Sequence, residues 1–148
     1  MIREHIIHHL IEKARRERDA ATARRLRARQ AHTKAAGTLE SLENFRKEHD
    51  RARATADGRT DRTRLRVHLA FGGKLDEAIG VQRKEAASIE EALKAREADL
   101  TAAQRRLKAI ELLERRRRRA ALRREEQADQ RAQDDLATVR KTNEGRSR

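Results

Sequence analysis

The chain has 148 residues, 36% hydrophobic and 43% charged, with two Phe and neither Trp nor Tyr, which leaves too little large apolar surface for a compact core around a deep catalytic pocket. Pro and Cys are absent and Gly occurs six times, so the turn punctuation of strand-rich folds, any disulfide framework, thiolate metal sites and cysteine nucleophiles are all excluded. The net charge of +13 favours an acidic partner: nucleic acid, an anionic membrane surface or an acidic protein cavity.

At the N-terminus, charged residues fall where a signal sequence needs an apolar stretch. No apolar run anywhere approaches the roughly 20 residues that span a bilayer, so the chain is read as soluble and cytosolic. Stepping by seven from Ile7 gives Ile7, Ala14, Ala21, Ala28, Ala35, Leu42 and His49, one file of a coiled-coil seam. The companion file is expected three residues on, at Leu10, Glu17, Arg24, Ala31, Thr38 and Phe45. A first helix over about 4–55 follows.

Small polar residues and Gly58 cluster without periodicity at 55–61, which places a turn at about 56–61, with Thr60 or Asp61 able to cap the next helix. Beyond it one file runs Leu65, Gly72, Ile79, Ala86, Leu93, Leu100, Leu107, and its companion His68, Leu75, Gln82, Ile89, Arg96, Ala103, Ile110. The second helix is expected over about 62–140 and a frayed tail over 141–148. Folding back near Gly58 pairs residue 7 with about residue 110. The expected fold is therefore all-α: one domain, a long two-helix antiparallel coiled-coil hairpin paired over ~50 residues, or ~75 Å, with a C-terminal single-helix overhang.

GlyGlyLys at 72–74 lacks the GxxxxGK[ST] frame of a phosphate loop and follows no strand. It reads instead as a flexible or closely packed point in the second helix. His5, His8 and His9 can share one turn of a helix and the His5–His9 spacing is compatible with a metal, but no acidic or further His ligand is evident near them, and the alternative is a solvated helix end. Ser41, Ser88 and Ser147 have no elbow or paired base. Catalytic residues, metal ligands and cofactors are therefore not expected. The strongest charge feature is Arg115, Arg116, Arg117, Arg118 and Arg119, followed by Arg123 and Arg124. It suits an acidic protein partner, a nucleic-acid backbone or plain solvation, and lies where the first helix stops covering the second.

The segments LeuGluSerLeuGluAsnPheArgLysGluHis at 39–49 and PheGlyGlyLysLeuAspGluAlaIleGlyValGln at 71–82 resemble the LxxLxxYxxEY and FxxxLExAIxxQ stretches of the FliJ family. That family comprises small coiled-coil proteins of flagellar type III export, with relatives of the YscO class in virulence secretion. ArgArgLeuLysAlaIleGluLeuLeuGluArgArg and AspGlnArgAlaGlnAspAspLeuAla farther on resemble the family's RxKKLExLxER and EQKxxDExA segments, and the likeness covers nearly the whole chain.

The resemblance implies a non-enzymatic component of flagellum biogenesis and motility that couples a hexameric export ATPase to the membrane export gate protein and escorts export chaperones. It implies a location in the cytoplasm, peripheral to the inner membrane. Carried onto this sequence, the gate-binding residues are Thr38, Leu42, Phe45, His49, Phe71, Leu75, Ala78 and Gln82, with Phe45 and His49 where the family often has Tyr. The ATPase-binding residues are Arg115 to Arg119 with Arg123 and Arg124, at the end the family places in the ring pore. Leu42, Phe45 and Leu75 serve seam packing or partner contact, whereas Phe71 lies off the seam files. A monomer is expected. The remaining alternatives are a basic coiled-coil nucleic-acid-binding protein, a structural coiled coil assembling through its overhang, and the equivalent stalk protein of a virulence system.

Overall fold

The structure, a computed structural model, describes residues 3–55 and 61–147. Two helices account for nearly all of them: α1, Glu4–Thr55, and α2, Arg62–Arg146. There is no strand among the described residues. The expected turn at 56–61, with Gly58 and Thr60, lies outside the described residues except for Asp61. That residue stands at the N-cap of α2, its carbonyl accepting the Leu65 N–H at 3.0 Å. At the start of α1 the Arg3 carbonyl accepts the Ile6 N–H at 3.0 Å.

α2 continues past the expected end near residue 140 to Arg146. With no Pro to stop it, the tail stays helical, and the hydroxyls of Thr138 and Thr142 donate to the carbonyls one turn back, each at 2.8 Å. GlyGlyLys lies inside unbroken α2, and Gly72 is the closely packed point: a Cβ there would stand 3.3 Å from the Arg46 guanidinium, whereas one on Gly73 would meet nothing within 4 Å.

The chain divides into two units, Met1–Arg15 with Gln104–Arg148, and Arg16–Ala103. In the first, Ile7, Ile11 and Ala14 of α1 form a buried cluster with Leu107 of α2, and Ile110 packs against it. Arg15 meets Glu111 across the helices at 3.7 Å. In the second, Ala21, Ala35, Leu75, Ile79 and Ala103 are buried, and Glu43–Arg83 and Arg46–Asp76 pairs cross between the helices at 3.2 and 2.8 Å. In the second unit Glu43 meets Arg83 and Arg46 meets Asp76, and in the first Glu4 and Ile7 lie beside Arg118 and Ala121 while Arg15 meets Glu111: residues farther along α1 meet residues earlier on α2, so the helices are antiparallel, and the fold is an all-α helical hairpin.

Covered residues on α2 follow a three-four alternation, at His68, Gly72, Leu75, Ile79, Gln82, Ala86, Ile89 and Leu93, then at Leu100, Ala103, Leu107 and Ile110. These are the two expected files; only Leu65, at the turn end, and Arg96 are open. On α1 the file from Ile7 to His49 is also the seam, but its companion is not. The covered companions stand four residues on, at Ile11, Arg18, Arg25, His32, Leu39 and Arg46, while Leu10, Arg24, Ala31, Thr38 and Phe45 are exposed. The physical reason is that long Arg side chains lay their aliphatic stems along a seam and keep the guanidinium in water. A seam position held by Arg thus looks polar in sequence.

Candidate functional site

All eight expected gate-facing residues belong to the unit 16–103, and the geometry sorts them into two groups. Leu75 is buried, and Leu42, His49 and Gln82 are half-buried on the seam. Thr38, Phe45, Phe71 and Ala78 are exposed. Each of these four stands one residue ahead of a seam residue: Leu39, Arg46, Gly72 and Ile79 respectively. Because the two helices run in opposite directions, that position falls on the same edge of the pair in both. The four therefore make one strip. Phe45 is 59% exposed and Phe71 48%, and the Phe71 ring packs against His49, centroids 5.2 Å apart. His49 lies one helical turn from Phe45 on the same helix. The Thr38 hydroxyl donates to the Lys34 carbonyl at 3.0 Å, so its methyl remains for contact.

The opposite edge of this unit is ionic. It carries Glu43, Asp50, Asp76 and Arg83, joined by the Glu43–Arg83 pair and by Arg46, which binds both Asp50 and Asp76. The hydrogen bond from Arg46 holds the Asp76 carboxyl below the usual carboxylate range, against a smaller opposing effect of burial. Asp76 in turn raises the guanidinium above its ordinary value. An open groove on this edge is lined by Glu43, Arg46, Lys47, Asp76, Ile79, Gly80 and Arg83. This ionic edge is not legible in the sequence, because the opposite charges of Glu43 and Arg83 give no signal until the register of the helices is known.

The arginine run lies in the unit that joins the first residues of α1 to the last part of α2. A small cleft lined by Glu4, Ile7, Glu114, Arg117, Arg118 and Ala121 marks the last stretch of α2 that α1 covers. Every described residue of α2 beyond Arg117 is exposed. Arg118 pairs with Glu114 at 2.6 Å, and Arg117 is half-buried. Arg115, Arg116, Arg119, Arg123 and Arg124 are exposed. Between Gln104 and Arg124 the carboxylates are Glu111 and Glu114. Both are half-buried toward α1, so the outer face of this stretch presents cations alone.

Among the described residues no group of three or more His, Cys, Asp or Glu side chains is placed to hold a metal. His8 instead meets Glu12 at 3.4 Å, an acidic neighbour one turn away. No described helix is long and apolar enough to cross a membrane. No curated protein and no solved structure matches the chain at a significant level. The family model described as flagellar FliJ protein matches residues 7–146. That span opens on the first buried residue of α1 and closes on the last helical residue of α2, and the chain thus belongs to the FliJ family, non-catalytic proteins related to flagellar type III export.

Proposed function

We propose that the chain couples the hexameric export ATPase to the membrane export gate protein and escorts export chaperones, acting as a monomer at the cytoplasmic face of the inner membrane. The observation that carries this reading is the presence of two chemically opposite exposed surfaces in different units: the Thr38, Phe45, Phe71 and Ala78 strip, and the arginine-rich face of α2. Exposed aromatic side chains on an otherwise charged surface suit a specific protein contact, which the gate supplies. Guanidinium groups distributed around one helix suit the acidic lumen of a ring, where several subunits meet one ligand at once. Leu42, His49, Leu75 and Gln82 support the strip from the seam beneath it. Arg115 to Arg119, with Arg123 and Arg124, form the ATPase contact.

The same arginine face favours a second reading, a sequence-independent contact with a nucleic-acid backbone, because its guanidinium groups outnumber the carboxylates beside them. No aromatic residue lies within that stretch to stack on bases. Capture of the ATPase and the gate protein by the tagged full chain, with nuclease present, tests the proposal. Retention of both supports it; loss of the ATPase on nuclease treatment supports the nucleic-acid reading instead.

A further inference from the structure

A histidine pair closes the seam at the turn end of α1 and α2. His49 Nε2 and His68 Nδ1 stand 3.3 Å apart, with ring centroids at 5.3 Å. The other nitrogen of His49, Nδ1, is buried without a hydrogen-bond partner. Both residues occupy seam positions, so their meeting follows from the register of the helices. Farther toward the turn the next seam residues, Arg53 and Leu65, are exposed. The pair is thus the last covered layer among the described residues, and it carries Phe71 on its flank.

With both rings neutral, or with one extra proton on the pair, one facing nitrogen can donate its N–H to the other. With two, both nitrogens become donors and two cations face each other at hydrogen-bond distance. The charged groups within one helical turn of the pair are Arg46, Lys47, Glu48, Asp50, Arg51 and Arg53 on α1 and Arg64 and Arg66 on α2; of these Arg46, Arg53 and Arg64 stand three or four residues from a histidine, on its side of the helix. Arg46 binds both Asp50 and Asp76. Arg46 keeps the Asp76 carboxyl ionised below the range in which histidines titrate, so that pair is constant while the histidines change.

We propose that His49 and His68 form a proton-sensitive clasp: it holds the turn end of the hairpin closed until a second proton binds, then opens and frees Phe71. The opening follows from the pair alone. Its effect on gate contact rests on the function proposed above.

Hydrogen exchange of the full chain at about pH 8 and about pH 5, corrected for intrinsic rates, tests the clasp across the span in which histidine changes charge. At the lower pH, protection of amides 50–55 and 65–67 should fall by about tenfold or more, with amides around Leu107 unchanged. His49→Leu/His68→Leu should make turn-end protection independent of pH, and His49→Gln, which removes one proton site and keeps a polar seam residue, should do the same. Equal wild-type protection at both pH values, or an equal loss in His49→Gln, would overturn the clasp. Gate affinity measured on the same samples separates the two ideas: exchange that opens without any change in affinity leaves the clasp standing and removes its link to the gate.

Discussion

Leu42 and Phe45 are three residues apart on α1 yet lie on different surfaces: Leu42 is half-buried in the seam, while Phe45 is exposed on the edge that also holds Phe71. Seam packing and partner contact are therefore separable by substitution in this stretch.

Phe45→Ala and Phe71→Ala should each weaken binding to the gate protein while leaving the helices folded. Phe45→Ala should shift stability by no more than about 0.5 kcal/mol; Phe71→Ala, which also loses its contact with His49, by about 0.5–1.5 kcal/mol. Leu75→Ala removes a buried side chain and should cost about 2–4 kcal/mol. Direct binding assays alongside thermal melts check this. Unchanged gate affinity in the double Phe variant would remove the strip from the gate contact.

Much of the fold is legible in the sequence because one seam file of α2 carries no polar side chain from Leu65 to Leu107 and the other returns to an apolar residue at Leu75, Ile89, Ala103 and Ile110. On α1 only one file is legible. Leu10 and Ile11 are both apolar, so the pattern at the start admits a companion either three or four residues from Ile7. Farther on, Arg18, Arg25 and Arg46 hold the true positions while Phe45 draws attention to the wrong one. Ile11 and Leu39 were the available signal. The consequence reaches the site: Thr38 and Phe45 move from the seam to an exposed edge, where they join Phe71 and Ala78.

The adjacent glycines Gly72 and Gly73 of α2 should respond differently to alanine. Gly73→Ala meets nothing and should stabilise the helix by about 1 kcal/mol. Gly72→Ala places a methyl group 3.3 Å from an Arg46 guanidinium already tied to Asp50 and Asp76. The displaced ion pairs should offset most of the helical gain. Melting temperatures in the order Gly73→Ala above Gly72→Ala are expected; the reverse order would contradict the packing of Arg46 against Gly72.

The Arg46–Asp76 pair gives stability a mild acid dependence. Asp76 has a lowered pKa in the folded chain, so its contribution is complete above the unfolded carboxylate value and is lost as pH falls through the folded one, below about pH 4. Thermal melts of the wild type and Asp76→Asn should differ at pH 6 and draw together as pH falls below the ordinary carboxylate range of about 4. A difference that persists undiminished in acid would show that the carboxylate charge is not its source.

The coupling function is tested most directly by ATP hydrolysis of the purified export ATPase ring with the full chain added, comparing the wild type with a variant carrying Gln at all five positions from Arg115 to Arg119. Gln is a good helix former, so the substitution removes charge while preserving α2. The wild type should stimulate hydrolysis, with an effect that weakens as salt shortens the screening length from about 10 Å at 0.1 M. The Gln variant should fail to stimulate while binding the gate protein as the wild type does. A Gln variant that stimulates the ring normally and has instead lost retention on RNA or DNA would contradict the account and leave the arginine face as a nucleic-acid contact.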